Sequence, residues 1–250
     1  MDLKQVNLKS VILALLFAIG GVNLTYADMD SFEAERVSLA ENQSFQNLKN
    51  KVSDYLVNSW CSKEKASLLM DLILIEKPET CVEIGVFTGS TLLPVAATLK
   101  YIEHGNVFAI DPWSNEESIR NLSENDPNRT WWSQVDMTEV LRIFSQMNQE
   151  WELEPYCNVL QYTSEEAVND IESIDFIHFD GNYSEKSSLQ DILLYLPKVK
   201  ENGHILLSNV LISADGVHPK TEALFALFDC CEIIAELEGG NAYLFKKITE

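Results

Sequence analysis

The sequence predicts an α/β fold: a mostly parallel β-sheet with helices packed on both faces. Three observations predict it. Short apolar runs of strand length alternate with longer segments whose apolar residues recur at helical spacing, the pattern of successive β-α-β units. The stretch from Cys81 to Leu93, CVEIGVFTGSTLL, passes from a buried strand through a tight glycine turn into the start of a helix. The stretch from Val107 to Trp113, VFAIDPW, is a second strand that ends in an acid.

The elements follow in order. Leu48, Val52, Tyr55 and Leu56 recur at helical spacing, as do Leu69, Leu72 and Ile73 after Ser62, a capping residue type. Strand one is Thr80–Ile84, and a helix runs from Ser90 to about Tyr101. Pro94 is tolerated in its first turn, where N–H groups have no helical partner. Strand two is Asn106–Ile110, followed by a polar insertion from Pro112 to Ser133 that carries Trp113, Trp131 and Trp132. A helix over Gln134–Asn148 puts Met137, Val140, Leu141 and Phe144 on one face. Strand three is Cys157–Tyr162, with a short acidic helix from Ser164. Strand four, Ile174–Phe179, leads into Asp180-Gly181, and the next helix presents Leu189, Ile192, Leu193 and Leu196 and stops at Pro197. Strand five is His204–Leu207, then a helix around Lys220–Phe228. Strands at Glu232–Leu237 and Ala242–Lys246, joined through Gly239-Gly240-Asn241, form an antiparallel hairpin.

Composition narrows the partners. The chain carries 39 acids against 18 bases, a formal net charge of -21, with no basic run, so phosphate-backbone substrates such as DNA or RNA are not expected. Lys4 and Lys9 precede an apolar run, Val11 to Val22, and Thr25-Tyr26-Ala27 supplies small residues at a cleavage site. This is the pattern of a secretory signal peptide over 1–27, cleaved after Ala27. The run is short for a membrane span, which takes about twenty residues; an uncleaved anchor is the alternative and the one expected route to membrane contact. Export to the periplasm or medium follows from cleavage, with a membrane-anchored or cytoplasmic protein as the alternative. Residues 28–60 read as a linker and helical extension, and 61–250 as one catalytic-sized domain. The five cysteines show no C-x-x-C and no zinc spacing; Cys81 and Cys157 open strands and read as buried thiols.

The glycine turn carries the chemistry. Glu83, Gly85 and Gly89 make E-x-G-x-x-x-G in place of the dinucleotide G-x-G-x-x-G, and Asp111 follows about twenty residues on. Such a turn brings a helix N-terminus to the ligand, and the acid accepts from a ribose. With VEIGVFTGSTLL, AIDPW, WWSQVD and SIDFIHFDGNYSEKSSLQDILLYLPKVKENGHILL in this order, the chain resembles the bacterial class I S-adenosylmethionine-dependent methyltransferases of the methyltransferase domain 24 type, related to catechol-type O-methyltransferases. The resemblance covers about Glu79 to Val210.

It implies a Rossmann-like, seven-stranded sheet in the order 3-2-1-4-5-7-6, with strand seven antiparallel. It implies S-adenosylmethionine as cofactor and a small-molecule methyl acceptor. Glu83 with Gly85, Val86, Phe87, Thr88, Gly89 and Ser90 is expected to hold the methionine portion, Asp111 the ribose hydroxyls, and Thr163 and Ser164 the adenine, covered by Trp113. Asp180, at the end of strand four, is expected to be the catalytic base near the sulfonium. His178, on the same side of that strand, reads as a structural histidine. Trp131 and Trp132 are either core anchors or a substrate lid. Two departures stand out. Tyr183 replaces the histidine that relatives show after the aspartate, and Ser208-Asn209 replaces the Asp-Asn pair that helps catechol-type relatives hold a divalent ion. No metal is therefore expected. A second reading is an exported, non-catalytic protein that uses the fold as a binding module; a nucleotide-dependent oxidoreductase is a third, weakened by the missing G-x-G-x-x-G.

Overall fold

In a computed structural model of the chain, residue 32, residues 34–211 and residues 220–249 are described. The signal peptide expected over 1–27 lies outside them. Helices α1 (Gln43–Tyr55) and α2 (Lys63–Glu76) lead into the sheet. There follow β1 (Thr80–Ile84), α3 (Leu92–Ile102), β2 (Asn106–Ile110) and, within the polar insertion, α4 (Asn115–Ser118) and α5 (Pro127–Trp132). Next come α6 (Met137–Glu150), β3 (Cys157–Leu160), α7 (Ser164–Ala167), β4 (Ile174–Phe179) and α8 (Glu185–Tyr195). The chain continues through β5 (Val199–Leu207), α9 (Thr221–Phe228), β6 (Cys231–Leu237) and β7 (Ala242–Lys247).

The seven strands form one sheet in the order β3-β2-β1-β4-β5-β7-β6, as expected. β1 pairs in parallel with β2 and β4, β2 with β3, and β4 with β5; β7 is antiparallel to both β5 and β6. Successive strand residues alternate between two cores. Cys81, Val107, Phe176 and Leu206 pack on the side of α1, α2, α3 and α6. Val82, Ile177, Ile205 and Phe245 pack on the side of α8 and α9. That period-two alternation follows from both faces being covered.

Three expectations change. β5 begins five residues earlier than the sequence suggests: Glu201-Asn202-Gly203 reads as a turn but is a kink within the strand, with Asn202 at φ 65 and the register against β4 shifting between Ile174 and Phe176. α8 ends at Tyr195 and passes into a 3-10 turn over Leu196–Lys198. Its buried face is Ser187, Ser188, Asp191, Ile192 and Tyr195, whereas Leu193 is 60% exposed. A leucine stripe marks the apolar face of a helix only when the neighbouring wall is apolar, and α8 turns a polar side to the cavity described next. All five cysteines are free thiols, with Cys81 and Cys157 buried.

Candidate active site

The site starts from the first glycine turn. Gly85 has φ +85, and a Cβ there would lie 2.4 Å from the Asp180 carbonyl oxygen and 2.6 Å from the Gly181 Cα, so the turn after β1 lies directly against the chain leaving β4. The Gly85 N–H donates to the Ile110 carbonyl at 2.9 Å. Asp111 fixes the rest of the turn. One carboxylate oxygen accepts the Val86 and Phe87 N–H groups at 3.0 and 2.9 Å, and the other accepts the Trp113 N–H at 2.7 Å. Burial raises the Asp111 pKa against the pull of these three donors. Each carboxylate oxygen has more than one acceptor position, so a ribose hydroxyl still finds a partner there.

A cavity of about 400 Å³ opens at the carboxyl ends of β1, β2, β4 and β5. Gly85, Val86, Phe87, Ser90 and Asp111 line one wall, and Thr163 and Ser164 another. Thr163 caps α7 in a capping box with Glu166, and Ser164 donates its hydroxyl to Asp191. Burial pushes the Asp191 pKa up to about 6. Arg120 clamps Glu165 through 3.0 and 2.9 Å bonds to its two oxygens, closing that end. Asp180 lines the opposite end with Asn209, Lys65, Glu238 and Asn241.

Four expected cofactor contacts do not line the cavity. Glu83 is buried beneath it on β1, where the Thr91 hydroxyl donates to its carboxyl. Gly89 faces α6 instead: a Cβ there would meet the Met147 side chain at 2.4 Å and Phe144 at 2.9 Å. Thr88 lies off the lining, and Trp113 is turned into the core. The Trp113 indole N–H donates to the Phe87 carbonyl at 2.9 Å and its ring packs on Phe144, so it braces the glycine turn rather than covering a base.

Below Asp180 lies a buried polar chain. His178 Nε2 and the Ser208 hydroxyl are 2.8 Å apart, whereas His178 Nδ1 and the second Glu83 oxygen have no partner among the described residues. His178 is thus only half satisfied. Burial takes its pKa down to about 4 and pushes Glu83 up to about 8, so both are neutral near pH 7. Burial also raises Asp180, against the pull of His178 and Lys65.

Neither candidate ligand set suits a divalent ion. Glu83, His178 and Asp180 offer donor atoms within 4.8 Å of one another, but Glu83 holds its proton and one oxygen is taken by Thr91. At the ends of β4 and β5, the Ser208 oxygen is engaged by His178, and the Asn209 amide donates to Asp180. A hard cation wants several free oxygens, carboxylates among them.

Two cavity residues come from before the sheet and carry no motif. Lys65 sits in the first turn of α2, whose N-cap is Ser62 as the sequence suggests. Trp60 stacks on Phe87 at 4.8 Å and 5° and touches Trp131 and Trp132 at 5.3 and 6.0 Å. Trp132 also meets Tyr183 at 5.7 Å and lines the cavity while packing against the core, so with Trp60 and Phe87 it forms an aromatic rim at the cavity mouth; Trp131 backs that rim from outside the lining.

A family model described as a methyltransferase domain matches residues 82–210, just over half of the chain. No curated protein matches the sequence. Similar solved structures include the SAH-bound methyltransferase PaMTH1 of Podospora anserina, 11% identical with a TM-score of 0.55 over 81% of this chain and 88% of that one. The O-methyltransferase TomG of Streptomyces achromogenes, solved with SAM and involved in tomaymycin synthesis, is 11% identical with a TM-score of 0.56 over 81% of this chain and 90% of that one. A Bacillus cereus O-methyltransferase solved with SAH is 12% identical, with a TM-score of 0.54 over 88% of this chain and the whole of the other. At these identities the likeness shows the fold.

Proposed function

The chain belongs to the methyltransferase domain family and is an S-adenosylmethionine-dependent methyltransferase, and on that premise we propose that it methylates an oxygen of a small molecule held between Asp180 and the aromatic rim. One observation carries the reading: Asp180 faces the same cavity as the Gly85 turn and Asp111, with the aromatic rim closing the other side. The cofactor supplies an electrophilic methyl group on a sulfonium. The Gly85–Phe87 backbone and Asp111 would hold its amino-acid and ribose portions, and Thr163 and Ser164 would lie on the adenine side. Asp180 takes the proton from the acceptor hydroxyl; its raised pKa makes it a stronger base than an ordinary carboxylate. Tyr183 is no substitute, since burial drives its phenol above the ordinary range. Trp60, Trp132 and Tyr183 favour an acceptor with a flat apolar face and keep water from the reacting atoms. Nothing in the site favours the alternative of a non-catalytic binding module.

Calorimetric titration with S-adenosylmethionine and its demethylated product tests the cofactor half, and transfer of labelled methyl to a panel of hydroxyl compounds tests the rest. Asp111→Ala is expected to abolish cofactor binding. Asp180→Ala is expected to keep it and to lose about 10²- to 10⁴-fold in turnover. Folded protein that binds no cofactor overturns the reading; unchanged turnover in the Asp180 variant removes that residue from its role.

A further inference from the structure

The residue that replaces the missing acid of β5 also draws a cation. Lys65 is 3% exposed, lines the cavity, and reaches across from α2 to the ends of β5 and of the β6–β7 hairpin. Its ammonium lies 3.0 Å from a Glu238 oxygen and 3.4 Å from the Ser208 hydroxyl, with no third partner among the described residues. An acid at position 208 would sit against His178 and compete with Glu238 for this ammonium; serine leaves the lysine free to serve the cavity. Resting on the methyltransferase reading, we propose that Lys65 is a cation built into the Asp180 end of the site: it binds the acceptor oxygen as that oxygen loses its proton, and transfer needs no divalent ion.

The step balances. The Asp180 carboxylate takes the acceptor's hydroxyl proton, and the oxyanion is held by the third N–H of Lys65. A lone pair of that oxygen forms the new C–O bond as the methyl–sulfur bond breaks, the bonding pair staying on sulfur, which becomes a neutral thioether. Asp180 then releases the proton to solvent. Lys65 is equipped for this: burial pulls its pKa down, but Asp180 and Glu238 outweigh that and hold it above the ordinary lysine value, so the group stays charged. The ammonium favours the ionised oxygen, and Glu238 at 3.0 Å takes back part of that gain, so the effect grows when the Glu238 charge is removed.

The test uses 4-nitrophenol, whose ionisation is read from its absorbance, on protein saturated with S-adenosylhomocysteine in excess EDTA. Bound nitrophenol is expected to ionise at least about tenfold more readily than free nitrophenol. Magnesium in place of EDTA leaves this unchanged. The effect is lost in Lys65→Met, partly kept in Lys65→Arg, and enlarged in Glu238→Gln, which releases the ammonium. Lys65→Met combined with Glu238→Gln removes both charges of the pair and guards against a fold defect from a half-buried carboxylate left without its partner. An equal shift in the Lys65→Met proteins, no shift in the wild type, or a shift that requires magnesium overturns the proposal. Calorimetry of S-adenosylhomocysteine on the same samples separates the two readings. Cofactor binding without the nitrophenol effect removes Lys65 alone, whereas absent cofactor binding removes the methyltransferase reading itself.

Discussion

Glu83 shows how far a motif residue can differ from the role its position suggests. It opens the glycine turn, yet it is 1% exposed, bonded to Thr91 and protonated up to about pH 8. A buried neutral carboxyl has a direct consequence for stability. Between the ordinary carboxylate range and about 8, the folded state keeps a proton that the unfolded chain has lost, so this group's contribution falls as pH rises through that window. Glu83→Gln keeps the shape and hydrogen-bonding capacity of the neutral acid and has no proton to lose. Thermal unfolding at pH 5.5 and pH 8 is expected to show the variant gaining on the wild type by about 1 kcal/mol or more at the higher pH. Equal pH slopes for the two proteins would show that Glu83 is ionised in the fold. His178 works in the opposite sense, since its depressed pKa favours the folded state as pH rises from about 4 into the ordinary histidine range, and it contributes equally to both proteins. The sequence marks Glu83 as unusual because a carboxylate entering a glycine turn is rare; it cannot show which way the side chain faces, because that depends on Thr91 and on the strand beside it.

At the scale of elements, the two glycines of the turn separate into different jobs. Gly85 meets backbone atoms of Asp180 and Gly181, which cannot move without pulling β1 from β4. Gly89 meets the ends of Met147 and Phe144, which can give way in part. Both have positive φ, so alanine is strained at each by about 1–3 kcal/mol. Gly85→Ala is therefore expected to cost more stability than Gly89→Ala, by about 1–2 kcal/mol, and also to lose cofactor binding. Parallel melts and cofactor titrations check this, and equal costs would place the backbone contact elsewhere. The strand–turn–strand unit was legible because its signals are local: an apolar run, glycines, and an acid about twenty residues on. The buried face of α8 was not. Leu193 fits a helical stripe as well as Ile192 does, and only the polar wall opposite decides that Ser187 and Asp191 turn inward.

Across the whole molecule, strand order and the cavity wall from Gly85 to Asp111 follow from sequence, whereas the wall facing Asp180 is assembled from distant pieces. Lys65 and Ser208 are 143 positions apart, and Glu238 and Asn241 join from the last hairpin. No spacing rule links such residues, which is why Trp60 reads as part of an extension and Lys65 carries no signal in the sequence. The helical segment before the sheet is thereby part of the active site, with Phe45 and Val52 anchoring it in the core. Trp60→Ala is expected to weaken 4-nitrophenol binding about tenfold while leaving S-adenosylhomocysteine binding within about twofold, since stacked aromatic contacts of this kind are worth about 1 kcal/mol beyond their area. Equal losses for both ligands would place Trp60 on the cofactor side.

The same ring has another use. Trp60, Trp131 and Trp132 are three of the five tryptophans, and Trp60 lies flat on Phe87, whose backbone N–H is held by Asp111. Light emitted from this cluster therefore originates at the mouth of the cavity and against the first glycine turn. The protein thus carries its own fluorescent probe: a ligand entering the cavity is expected to change the surroundings of these tryptophans, so that occupancy is followed without attaching a dye.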